Sequence, residues 1–287
     1  MLANNRVIWS DNGTLKDLSQ VLNNYFSGTQ VIDFNPAQDK LYIGSDVPFN
    51  HRFFSVSVAN DVASVATVKH WNGNSWKSAV DVIDFTRDAA SATKTLARSG
   101  ILKWVTDRNE TWSPEATTEN ISELSTLKIY DLYWAQLNFS VSLTGTCALK
   151  YVGHKFSTDD DLGGEYPDLK AQAVKTAFNN GDSSKTTWDD QAILAGEYVA
   201  TRLRRELKAW TKNQIFDWEP FTAASVHKTA EIIYGAFGPD FESKANRASR
   251  AFDAAMSDAM TQGIDSNEDG HVETYERVGL ESARITR

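Results

Sequence analysis

Apolar residues recur along this chain with two different periods, and the period changes at one place. Near the start, Leu15, Leu18, Leu22 and Phe26 are spaced by three and four, and Thr14 with Asp17 has the form of a capping box. Together they predict a short helix over 14–26. The period then falls to two. Residues 53–58, 65–68, 79–85 and 101–105 read as strands, and Asn72-Gly73 between His70-Trp71 and Ser75-Trp76 marks a hairpin. A longer pair, 132–143 and 146–156, is separated by Thr144-Gly145 and reads as a second hairpin. Many short strands with turn signals imply an antiparallel β-sandwich or jelly roll over residues 1–157.

Beyond the polar, glycine-bearing run Ser157-Thr158-Asp159-Asp160-Asp161-Leu162-Gly163-Gly164, the pattern is helical and no convincing strand follows. A helix over 168–178 is stopped by Asn179-Asn180-Gly181. A long one over 188–210 carries Ile193, Gly196, Ala200, Leu203, Leu207 and Trp210 on one stripe and Arg202, Arg205 and Lys208 on the other face. That basic face is a solvated surface or a contact with an acidic neighbour. A third helix starts near Glu219-Pro220 and runs to Gly238-Pro239. A fourth covers 240–262 with Ala245, Ala248, Phe252, Ala255 and Ala259 on one side, capped by Gly263. The fold class is therefore α+β and multidomain: an N-terminal antiparallel β-sandwich over 1–157, then an all-α four-helix domain over 158–287.

Length and charge refine this picture. At 287 residues the chain has room for two cores. Residues 1–157 hold 14 Lys+Arg against 15 Asp+Glu, and the remainder 15 against 23, so the net charge of -9 lies mostly in the helical half. Such an acidic surface does not grip nucleic acid, although DNA can slide past it without sticking. The single cysteine, Cys147, excludes an internal disulfide and reads as a small buried hydrophobe. Met1 to Arg6 lacks the apolar run of a signal peptide, and no stretch of about 20 apolar residues exists, so the expectation is a protein folded in the cytoplasm with no membrane contact.

One motif is sharp. Residues 265–276 read Asp-Ser-Asn-Glu-Asp-Gly-His-Val-Glu-Thr-Tyr-Glu and follow a helix. Asp265, Asn267 and Asp269 take positions one, three and five of an EF-hand loop, and Gly270 takes position six, where the backbone needs φ > 0. His271 at seven offers its backbone carbonyl, Glu273 at nine acts through water, and Glu276 at twelve binds through both carboxylate oxygens. The expected cofactor is structural Ca2+. The loop stands alone, with room for only a stub of exiting helix, so it reads as a clip for the short basic segment Ser282-Ala283-Arg284-Ile285-Thr286-Arg287.

Other chemistry is thin. There is no Gly-x-Ser-x-Gly, no phosphate-cradling glycine loop, no His-Glu-x-x-His, and the five histidines share no spacing. No catalytic residue is assigned and no enzyme activity is expected. Asp159-Asp160-Asp161 reads as an acidic linker. Nine tryptophans are many; most read as core or interface, but an exposed Trp71 or Trp76 could stack on a sugar ring.

The second half, roughly residues 165–287, resembles the head–tail connector (adaptor) proteins of tailed bacteriophages. The resemblance rests on Glu165-Tyr166-Pro167-Asp168-Leu169, on Trp188-Asp189-Asp190-Gln191 opening the long helix, and on Ala230-Glu231-Ile232-Ile233-Tyr234 followed by Gly238. Tyr130 to Trp134 and Tyr151 to Phe156 resemble strands of sandwich modules on phage virion proteins. The calcium-type loop and the large N-terminal sandwich are departures from the smallest adaptors, and leave open an adaptor proper or an adjacent neck protein. The resemblance implies a virion protein assembled in the host cytoplasm. It implies a homo-oligomeric ring, often of twelve, seated on the portal protein and contacting neck and tail proteins while DNA passes without sequence-specific binding. It also implies that Arg284, Ile285 and Arg287 dock on the portal. Alternatives are a calcium-stabilised carbohydrate-binding module on a virion or cell surface, and a hydrolase with dispersed carboxylates.

Overall fold

Val7-Ile8-Trp9 and Leu41-Tyr42-Ile43 are continuous apolar runs, and the computed structural model shows why: both faces of the sheet they build are covered. The structure describes residues 5–88, 93–106, 112–207 and 212–259. The fold is α+β, and the chain divides into two compact units, one ending at Gly153 and one starting at His154.

In the first unit, β1 (Asn5–Asp11), β2 (Thr14–Asp17), β4 (Lys40–Ser45), β6 (Ala66–Trp71), β7 (Trp76–Ser78) and β10 (Tyr133–Phe139) form a sheet in the order β2-β1-β4-β10-β6-β7. A second sheet takes β3 (Gln30–Val31), β5 (His51–Val58), β8 (Asp81–Asp84), β9 (Gly100–Val105) and β11 (Ala148–Gly153) in the order β3-β11-β5-β9-β8. All of these strand pairs are antiparallel, and the arrangement fits a β-sandwich. Across the first sheet, Trp9, Leu41, Leu137 and Val68 sit in one register row. They pack in one core with Phe54, Leu102, Trp104, Leu149 and Val152 of the other sheet. The opposite face of the first sheet presents Ile8, Tyr42, Trp71 and Trp134 to Ile121 and Leu124, which come from the segment between β9 and β10. Burial on both faces removes the period-two alternation that marks a half-exposed strand.

Two sequence expectations change here. The helix over 14–26 is reduced to α1 (Ser19–Leu22), and Thr14–Asp17 is a strand. Asn12 and Gly13 both have positive φ (49° and 81°), as a two-residue hairpin turn requires, so Thr14 pairs back on Asp11. Asp17 accepts from the Ser19 amide at 2.9 Å and starts the short helix instead of closing a capping box. The strands around Thr144-Gly145 exist, but they do not pair with each other. β10 lies between β4 and β6, and β11 between β3 and β5. The turn carries the chain from one sheet to the other: Leu143 donates to the Phe34 carbonyl at 3.2 Å, and the Thr144 amide donates to Asn60 Oδ1 at 3.0 Å. The Asn72-Gly73 hairpin joins β6 to β7, with Trp71 opposite Trp76.

In the second unit the described residues contain no strand. The helices are α2 (Asp159–Glu165), α3 (Gln172–Phe178), α4 (Asp189–Leu207), α5 (Thr222–Ala236) and α6 (Glu242–Ala259). The helix expected over 168–178 is broken in two, because Ala171 is extended (ψ 134°) between a 3-10 turn at Pro167–Lys170 and α3. Asp159 to Asp161 are the first turn of a helix and not a linker. Thr158 and Asp161 close a capping box there, and three carboxylates suit the positive end of the helix dipole. No helix among the described residues is long and apolar enough to cross a membrane.

Gly100 separates tolerated from forbidden substitutions. A Cβ there would drive into the backbone carbonyl of Phe85, whereas one at Gly164 in α2 meets nothing within 4 Å. Gly100→Ala should lower stability by about 1–3 kcal/mol, and Gly164→Ala should leave it unchanged or raise it by about 0.4–1 kcal/mol. Denaturant titration of the two variants measures both.

Candidate functional site

The residues of the predicted calcium loop, Asp265, Asn267, Asp269, His271, Glu273 and Glu276, lie outside the described residues, as do Arg284, Ile285 and Arg287. The structure describes the helical unit that leads to them, with α6 as the last described helix. Among the described residues, no group of three or more His, Cys, Asp or Glu side chains is placed to hold a metal ion.

The unit is built around four buried residues at its entry. His154, Lys155, Phe156 and Ser157 are each 5% exposed or less. Lys155 forms a buried ion pair with Asp189, which opens α4. His154 Nε2 meets Asn213 Oδ1 at 2.9 Å, and Ser157 Oγ meets Ser225 Oγ of α5 at 2.8 Å. The Phe156 ring lies so close to α4 that a Cβ at Gly196 would touch it at 3.4 Å. Phe156 also packs at 6.4 Å from the Phe221 ring. Sequence reading passed over this cluster. Its signal was Lys155 within the strand-like stretch Tyr151 to Phe156, since a lysine buried at the end of such a stretch needs a partner.

The same unit is closed by Trp188, 1% exposed, whose Nε1 donates to the Leu169 carbonyl at 2.9 Å. Its backbone amide donates to Asp159 Oδ1 at 3.0 Å, and Lys175 pairs with Asp159 at 3.2 Å. On α4 the buried stripe is Ala192, Ala195, Val199, Ala200 and Leu203. Leu194 and Tyr198, one turn apart, stay 45% exposed. Lys228 of α5 sits 4.2 Å from the Tyr198 ring, and Arg202 reaches Asp253 of α6 at 3.7 Å. The basic face of α4 therefore already has one acidic contact within the unit.

A second polar group ties α2 and the turn after it to α5 and α6. Tyr166 Oη and His227 Nδ1 are 2.9 Å apart. Tyr234 Oη donates to Asp168 at 2.8 Å, and Lys244 donates to the same carboxylate at 2.7 Å. Burial pushes His227 below the usual histidine range, opposed by the nearby Glu165. Burial alone would raise Asp168, but the bonds from Lys244 and Tyr234 hold it below the usual carboxylate range. Burial raises Tyr234, reinforced by Asp168. His227 also edges an open groove of about 420 Å³, where Ala223 and His227 of α5 face Ala251, Ala255 and Asp258 of α6 and Pro220 closes one end.

In the sandwich unit the tryptophans are packed as core residues or against one another. Trp71 is 6% exposed, and its Nε1 donates to Glu115 Oε2 at 2.8 Å, while Asn120 holds the other carboxylate oxygen at 2.6 Å. Trp76 is half-buried with its ring edge on Trp71. None of the described tryptophans is exposed. Cys147 is fully buried, and burial pushes its thiol up to about 11, where it stays protonated and unreactive.

No family model, curated protein or solved structure matches this chain.

Two outcomes follow from these groups. Lys155→Met should cost about 3–5 kcal/mol, because it strands a buried carboxylate, whereas Lys155→Met combined with Asp189→Leu should recover most of that loss; equal losses in the single and double variants would contradict this. A histidine whose folded value is depressed contributes stability that is full above 6.5 and is lost as pH falls through the folded value. Asp168 adds a loss of the same sign further down, below 3.8. Unfolding midpoints measured from pH 7 downward should therefore fall first in the histidine window, and His227→Gln should flatten that first fall.

Proposed function

We propose that this chain is a structural protein of a tailed-phage virion, a connector that joins head to tail at the portal vertex. In this reading the second unit is the helical connector domain. Copies of the chain form a ring, of about twelve by the resemblance, seated on the portal protein and meeting neck and tail proteins. DNA passes through it without sequence-specific contact, and the sandwich decorates the neck.

One observation carries the reading. Many of the residues on which the connector resemblance rests help hold the helical unit together. Tyr166 pairs with His227, Leu169 is 1% exposed and accepts from Trp188, Asp189 pairs with Lys155, and Ala230, Ile233 and Tyr234 are buried in the core of α5. The likeness therefore falls in large part on fold-determining positions, with Glu165 and Pro167 at the surface. Trp71 is buried and Trp76 half-buried against it, which favours this reading over a sugar-stacking module.

In the same reading Asp265, Asn267, Asp269, Glu273 and Glu276, with the His271 carbonyl, bind one Ca2+. The bound ion fixes the segment carrying Arg284, Ile285 and Arg287, which docks on the portal. A ligand that binds only the folded state at a hundred times its Kd stabilises by about 2.7 kcal/mol. Asp265→Ala with Glu276→Ala should thus lower the melting midpoint in calcium and leave it unchanged in excess chelator. Wild-type protein that melts equally in both buffers counts against the ion. For the docking, purified protein should co-sediment with portal rings, and a chain ending at Glu281 should not; equal co-sedimentation of the two overturns the assignment of residues 282–287.

A further inference from the structure

The chain contains three Asn-Gly dipeptides, at 12–13, 72–73 and 180–181. Asn-Gly is the dipeptide most open to spontaneous deamidation, because glycine puts no side chain in the way of its own nitrogen. The reaction needs two free parts: the asparagine carboxamide carbon as electrophile and the following backbone nitrogen as nucleophile. The structure treats the three sites differently.

At Asn72 the electrophile is tied down. Its Oδ1 accepts from the amides of Asn74 and Ser75 at 3.1 and 2.9 Å, which holds the side chain over the loop and away from its own Gly73. At Asn180 the nucleophile is tied down, since the Gly181 amide donates to the Thr176 carbonyl at 2.8 Å at the end of α3. At Asn12 neither restraint exists. Both Asn12 and Gly13 are exposed, and the Gly13 amide and the Asn12 carboxamide have no hydrogen-bond partner among the described residues. The ideal Cβ position of Gly13 meets nothing within 4 Å. The turn is held on one side by the Asn12 amide donating to Asp39 Oδ1 at 2.8 Å. On its other side lies β2, a four-residue edge strand with no buried residue. Opening that strand exposes little apolar surface, so the turn can reach the geometry for ring closure by local fluctuation.

We propose that Asn12 is the deamidation site of the folded protein. The Gly13 nitrogen attacks Asn12 Cγ. The new N–Cγ bond forms, the Cγ–Nδ2 bond breaks, and the amide proton leaves with Nδ2 as ammonia. Water then opens the five-membered imide. Cleavage at Cγ–N gives aspartate, and cleavage at the backbone carbonyl gives iso-aspartate, with the main chain routed through the side-chain carbon. The iso-aspartyl form adds one methylene to a two-residue turn, which breaks the pairing of Asp11 with Thr14. Either product puts a new carboxylate beside Asp11 and Asp39.

The test is incubation of the intact protein at mildly alkaline pH, with peptide mapping by mass spectrometry over days, in parallel with a sample in denaturant. Asn12 should convert several-fold faster than Asn72 and Asn180 in the folded protein, and the three should converge in denaturant. Asn12→Gln should abolish the early-converting peptide. Faster or equal conversion at Asn72 or Asn180 in the folded protein overturns the proposal, and so does an identical ranking in denaturant.

Discussion

An ammonium and a carboxylate held out of water fix where the helical unit begins. Taking Lys155 and Asp189 out of solvent costs several kcal/mol per ion, and only close mutual contact offsets it. The pair therefore specifies one position of α4 against the segment leaving β11, because any slip of a turn would leave two unpaired buried charges. Phe156 against Gly196 and Ser157 against Ser225 set the same register from either side. From this entry point α4, α5 and α6 follow in fixed order. The second polar group, Tyr166 with His227 and Asp168 with Tyr234 and Lys244, locks α2 and the turn after it onto them.

Both units combine apolar burial with buried polar contacts. The sandwich is held by broad apolar burial: rows such as Trp9, Leu41, Leu137 and Val68 face the second sheet, and Ile8, Tyr42 and Trp134 face a covering segment. Its buried cation, Arg52, is fully desolvated and pushed down to about 9. It is held by the His51 carbonyl at 2.8 Å and lies 3.9 Å from the Phe49 ring. The helical unit joins its apolar core to directional polar contacts such as Lys155 with Asp189 and Tyr234 with Asp168. Those made by His227 and Asp168 weaken as pH falls, while apolar burial does not.

Much of this was legible in the sequence, for reasons that can be named. β5, β6, β9 and the Asn72-Gly73 hairpin showed period-two alternation or a turn dipeptide, and both signals are local. The long helices showed a stripe and recognisable stops. What failed was non-local. β1 and β4 are apolar on both faces, so no alternation marks them. Leu15, Leu18 and Leu22 mimic helical spacing, but Leu15 is in a strand while Leu18 and Leu22 pack into the sandwich core. The Thr144-Gly145 turn is real, yet which sheet each flanking strand joins depends on Phe34 and Asn60, more than eighty residues away for Asn60. Of the helical unit's centre, the Trp188-Asp189-Asp190-Gln191 stretch could be seen, but not that Asp189 meets Lys155.

The connector reading turns on where copies of the helical unit sit in an assembled particle. Imaging of purified virions at a resolution that shows helices tests it most directly. The account predicts density for α4, α5 and α6 in a closed ring between portal and tail, with the sandwich on the outer side. Density for this chain elsewhere on the particle, or its absence from purified virions, would contradict it.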